Sequence, residues 1–93
     1  MSKSNIPPKQ KLQKTLNVIV RDGNKCVYCE KGFKNRIELT LDHVVPRKHG
    51  GTNAVTNLAI CCIDCNSKKA SMLLTEFIRA YDVKINKTIS NFL

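Results

Sequence analysis

The chain contains no tryptophan, two tyrosines and three phenylalanines, so its core has to be built largely from aliphatic side chains. Three prolines and four glycines are too few for a collagen-like or low-complexity chain. Apolar runs are short: the longest, Leu58 to Ile63, falls far below the ~20 residues that span a bilayer, and no membrane partner is expected. Met1-Ser2-Lys3-Ser4-Asn5 lacks the apolar stretch of a secretory signal, which predicts a cytoplasmic chain with reduced thiols. Acids are scarce. Seven Asp and Glu stand against sixteen Lys and Arg, a net charge of +9, and an excess of that size points to a polyanion, nucleic acid first. The basic end is the N-terminal one, where residues 1–25 hold six bases and one acid.

A chain of 93 residues is one small domain whose core needs a staple. Pro7-Pro8 bars a helix upstream and permits one to start. The spacing predicts a helix over 8–22, with Leu12, Leu16, Ile19 and Val20 as its apolar stripe and Lys11, Lys14 and Arg21 on the opposite, outward side. Gly23 suits the position after its end, and Lys25 to Phe33 reads as a cysteine turn followed by a bend. Ile37, Leu39 and Leu41 alternate with Glu38, Thr40 and Asp42, the period of a half-buried strand that runs through Val44-Val45 and stops at Pro46. Gly50-Gly51-Thr52-Asn53 is a loop. A second strand follows from Asn57 to Cys61 or Cys62, then a helix over about Asp64 to Met72. Thr75 is placed to cap a last helix with the stripe Leu74, Phe77, Ile78 and Tyr81. The tail from Lys84 to Leu93 is either a docked helix on Ile85, Ile89 and Phe92 or loose. The expected organisation is a basic arm and helix over 1–24, a core over 25–74, and a helix with its tail over 75–93, all in one folded unit.

Cysteine is present five times. Cys26-x-x-Cys29 and Cys62-x-x-Cys65 are two matched steps, and paired steps of this kind let four thiolates converge tetrahedrally on one Zn²⁺. A redox dithiol needs one such step in a thioredoxin-like setting, not two. Four cysteines leave no open coordination position, so the ion is structural and supplies folding free energy. Cys61 reads as a small buried hydrophobe.

Between the two steps stand Asp42-His43, Asn57 and, directly after Cys65, Asn66. The run Cys26-x-x-Cys29, Leu41-Asp42-His43-Val44-Val45-Pro46-Arg47, Gly50-Gly51, Asn57-Leu58, Cys62-x-x-Cys65-Asn66-x-x-Lys69 resembles the HNH family of endonucleases, over about residues 21–72. The resemblance implies an α+β fold: a small ββα-metal (His-Me finger) nuclease domain with structural zinc. It implies a metal-dependent DNA endonuclease or nickase acting on double-stranded DNA. His43 is then the general base that activates water, a task suited to a side chain titrating near neutrality. Asp42 and Asn66 supply two oxygens to a catalytic Mg²⁺ or Mn²⁺, a hard donor set. Asn57 holds the loop that turns His43. Asn66 stands where many members have histidine, and the N-cap of the following helix is its competing role.

Arg47 and Lys69 are candidate phosphate clamps or plain solvated charges. Lys11, Lys14 and Arg21 either track a phosphate backbone or keep the chain soluble. With little surface beyond the core, specificity is expected to come from a partner protein, of which phage packaging machinery is one example. Two other classes remain: a non-catalytic zinc-ribbon module that binds nucleic acid, and an interaction protein whose HNH shell has degenerated. Asp42, His43 and Asn66 separate them, because a binding module has no need of that trio.

Overall fold

Helix α1 (Pro8–Asp22) opens on a proline, whose missing N–H has no acceptor in a first turn, and closes at Gly23, whose φ of 90° favours glycine. The Gly23 N–H reaches the Ile19 carbonyl at 2.7 Å. Its ends agree with the sequence, but of the expected stripe only Ile19 packs against the core. Thr15 and Val18 are buried, whereas Leu12, Leu16 and Val20 are 49%, 42% and 87% exposed. The helix is rotated so that Lys14 and Arg21 point into the domain. Lys14 Nζ donates to the Asn53 carbonyl, and Arg21 donates to the carbonyls of Val55 and Leu58 at 2.9 and 2.7 Å. These side chains satisfy backbone acceptors with their charged heads, and the Arg21 guanidinium also lies 5.4 Å from the centre of the Phe92 ring. Thr15 accepts burial because its hydroxyl donates to the Lys11 carbonyl at 2.7 Å. Lys11, Lys14 and Arg21 thus lie on the side of the helix that carries the buried Thr15 and Val18 and not on an outward face, although Lys11 and Arg21 stay exposed.

The computed structural model describes residues 6–34 and 38–93. After α1 the chain makes a tight hairpin: Lys25 and Gly32 pair as an antiparallel bridge, and the Cys26 N–H reaches the Lys31 carbonyl at 2.8 Å. Strands β1 (Leu39–His43) and β2 (Leu58–Cys62) form a two-stranded antiparallel sheet in which Asp42 faces Ala59 and His43 faces Leu58. Ile37, expected in the first strand, lies outside the described residues. Val44 and Val45 lie beyond the strand because the Val45 N–H is taken by the Asn57 side chain instead of a neighbouring strand. The sheet is more deeply covered than alternation suggests. Leu41, Asp42 and His43 are buried in succession, as is all of β2, since α2 packs on both strands and α1 on β2.

Helix α2 (Ile63–Lys69) starts where Cys62 Sγ accepts the Cys65 N–H at 3.4 Å. It stops three residues short of Met72, at Ala70. Helix α3 (Leu74–Tyr81) is capped from Glu76, whose carboxylate accepts the Leu73 N–H at 2.9 Å, so Thr75 lies inside the helix and is not its cap. Leu74 and Phe77 are buried, Ile78 partly, and Tyr81 is exposed. The tail docks as α4 (Lys87–Ser90): Asn86 caps it and also donates to the Val27 carbonyl at 2.8 Å, while Ile89 is buried and Ile85 exposed. Among the described residues no helix is long and apolar enough to cross a membrane.

Ala70 leaves α2 at φ 46° and ψ −121°, a conformation that a Cβ disfavours and that glycine enters freely. Relief of that strain outweighs the entropy a glycine adds to the unfolded chain, so Ala70→Gly should stabilise the protein by about 1 kcal/mol. A denaturant midpoint that stays put or falls would contradict it.

Candidate active site and metal centre

The two cysteine steps meet in space. The sulfurs of Cys26, Cys29, Cys62 and Cys65 all lie within 4.8 Å of one another, and Cys29 Sγ stands 3.8 Å from Cys62 Sγ. A tetrahedral ion with bonds of ~2.3 Å to sulfur sets edges of about 3.8 Å, so the cluster has the dimensions of a four-thiolate site. Each step is a turn in which the second cysteine's N–H points at the first one's sulfur, at 3.5 Å for Cys29 to Cys26 and 3.4 Å for Cys65 to Cys62. Burial pushes the Cys26 thiol up to about 11 and raises Cys65 as well, whereas at Cys62 hydrogen bonds outweigh burial and lower it, so two of the four thiols prefer to stay protonated. A divalent cation reverses that preference. Cys61 stays out of the cluster, buried on β2 against the Thr40 hydroxyl at 3.3 Å.

Consecutive strand residues point to opposite faces, and β1 ends by using both. Thr40 and Asp42 face α2. The Asn66 Nδ2 donates to the Thr40 hydroxyl at 2.8 Å, and Lys69 Nζ pairs with Asp42 Oδ2 at 3.1 Å. Tyr28 donates its hydroxyl to the same Oδ2 at 2.5 Å. Asp42 and Lys69 are almost wholly buried, and Lys69 also donates to the His43 carbonyl at 3.1 Å. Burial lifts the Asp42 carboxyl above its ordinary value, opposed by the Lys69 ammonium and the Tyr28 hydroxyl. Burial, then the Asp42 charge, raises Tyr28 well above the usual phenol, which keeps it a donor. Lys69 is therefore not a surface clamp.

His43 takes the other face. Its Nε2 lies 2.8 Å from Asn53 Oδ1. An amide oxygen only accepts, so Nε2 carries a proton, and the neutral imidazole in this contact has its lone pair on Nδ1. The loop beyond is closed by Asn57, whose Oδ1 accepts the Val45 N–H at 2.9 Å and whose Nδ2 donates to the carbonyls of Val45 and Thr52 at 3.0 and 2.9 Å. Its own carbonyl accepts the Val44 N–H at 2.9 Å. Arg47 is exposed in the short 3-10 turn after Pro46.

Tyr28, Thr40 and Asn53 were missed in the sequence. Strand alternation could have found Thr40, two residues before Asp42. Tyr28 had only its place between two cysteines as a signal, and Asn53 had none.

The description "HNH endonuclease" matches residues 26–82, more than half of the chain, and the chain belongs to that family. Its fold is similar to a crystal structure of the Type II-C Cas9 enzyme from Actinomyces naeslundii, with a TM-score of 0.66 and 24% identity over 83% of this chain and 8% of that one. The chain thus spans less than a tenth of the Cas9 it matches, and at this identity the likeness is one of fold. No curated protein matches the chain.

Gly51 has no room for a side chain: a Cβ there would lie 1.6 Å from the Val45 carbonyl oxygen and 2.9 Å from Asn57 Nδ2. The obstacle is backbone and cannot step aside. Gly51→Ala should cost about 1–3 kcal/mol of stability and loosen the Asn57 bridge. Faster hydrogen exchange at the Val45 amide is the specific mark, and wild-type protection there would refute it.

Proposed function

We propose that the protein is a metal-dependent DNA endonuclease or nickase. The observation that carries this reading is the arrangement of Asp42 and His43 on opposite faces of one strand end, within a chain of the HNH endonuclease family. His43 is the general base: with Nε2 held by Asn53, Nδ1 accepts the proton of the water that attacks the phosphodiester. The Asp42 carboxylate and the Asn66 amide oxygen would hold the catalytic Mg²⁺ or Mn²⁺, since both are hard oxygen donors and Asn66 Nδ2 is turned toward Thr40. A divalent ion bound there supplies neutralisation of the charge that builds on the phosphate. Asn57 keeps the loop that carries Asn53 closed. Exposed Lys11 and Arg47 contact the phosphate backbone of double-stranded DNA.

The four thiolates hold zinc, in a closed site with a folding role. Elemental analysis should find one zinc per chain, and Cys65→Ser should leave the chain poorly folded; a well-folded, zinc-free protein would sink the assignment.

Relaxation of supercoiled plasmid tests the activity. Cleavage should appear with Mg²⁺ and vanish with EDTA. His43→Ala should bind DNA and zinc as before and cut about 10²–10⁴-fold more slowly. Asp42→Ala is a poorer probe, because it strands the Lys69 ammonium in the interior at a cost of about 3–5 kcal/mol. DNA binding without cleavage in the wild type, under any divalent ion, would favour the zinc-ribbon binding module instead.

A further inference from the structure

We infer that Tyr28 is a positioning residue for Asp42, and that through it the thiol cluster governs how tightly the site takes a divalent cation. This rests on the reading of Asp42 as a cation ligand. Tyr28 lies between Cys26 and Cys29, so its backbone belongs to the thiol-bearing turn. That turn is tied to the sheet by the Val27 N–H, which reaches the Ile60 carbonyl at 2.9 Å. The Tyr28 ring is buried and meets Phe77 edge-on, with centroids 5.1 Å apart. Its hydroxyl therefore has one place to go, and it goes to Asp42 Oδ2.

Two donors from different elements converge on that one oxygen, Tyr28 from the turn and Lys69 from α2. Neither uses Oδ1. A carboxylate held at one oxygen from two directions has its plane fixed, and its other oxygen is presented in a set direction. Lys69 supplies charge as well as orientation. Tyr28 supplies orientation without charge, from inside the Cys26-x-x-Cys29 step, while Lys69 comes from the helix that carries Cys65. A cysteine turn that shifts carries the hydroxyl with it.

The test uses the full zinc-loaded chain and Mn²⁺ alone, without DNA, with binding read by water-proton relaxation. Tyr28→Phe keeps the ring and its contact with Phe77. It should retain one zinc per chain and bind Mn²⁺ about 10–100-fold more weakly, the usual effect of losing a group that orients a metal ligand. Asp42→Asn locates the site and should abolish this binding. If Asp42→Asn loses Mn²⁺ while Tyr28→Phe binds it as the wild type does, the inference is overturned and the nuclease reading stands. A wild type that takes up no Mn²⁺ overturns both. A measurement on the wild type alone guards against a poorly folded variant: Mg²⁺ titration should shift the Tyr28 ring resonances with the same saturation curve as binding. Resonances that stay fixed while Mg²⁺ binds would overturn the coupling.

Discussion

The ion pair between Asp42 and Lys69 is the constraint from which the site is built. A carboxylate withdrawn from water costs several kcal/mol unless a partner and hydrogen bonds meet it, and here the ammonium and the Tyr28 phenol do so together. The pair also sets how the helix lies on the strand. Lys69 and Asn66 are three apart and share a face of α2; Asp42 and Thr40 are two apart and share a face of β1. Joining Lys69 to Asp42 brings Asn66 to Thr40, which is the contact observed. The further bond from Lys69 to the His43 carbonyl fixes the strand end from which the imidazole departs.

The thiol cluster supplies what this small core lacks. The core has few rings, and two of them, Tyr28 and Phe77, meet edge to face beside the cysteine turn. The rest is aliphatic, with cysteines among its most buried members. Four sulfurs from two distant stretches tie the first hairpin to the junction of β2 and α2. That junction carries Asn66 and Lys69. Fold closure and site geometry therefore share the same few residues, with Tyr28 as their direct link.

Sequence spacing was informative where spacing is itself the chemistry. Two matched cysteine steps announce a shared site, and adjacent Asp42 and His43 on a strand divide between its faces. The ends of α1 were legible from Pro8 and Gly23. Its buried face was not, because hydrophobic periodicity weighs Leu12, Leu16 and Val20 but is blind to carbonyls that a lysine or arginine can satisfy. Lys69 misled for a related reason. A lysine is normally solvated, and nothing local signals that a buried carboxylate awaits it. Asn53, the partner of His43, comes from a loop whose path no periodicity describes.

The two faces of β1 are supported from opposite ends of the chain. Asp42 is held by the cysteine turn and α2, both inside the matched residues 26–82. His43 is held by Asn53, and the Asn53 carbonyl is in turn held by Lys14 of α1, which lies before residue 26. Arg21 adds two more bonds from the same helix to the segment leading into β2. Lys14 thus spends its donor on the loop that orients the imidazole, and Arg21 divides its donors between the following segment and Asp22. The loop that carries Asn53 therefore has two supports, Asn57 from inside the matched residues and Lys14 from outside them, and only the second reaches Asn53 itself.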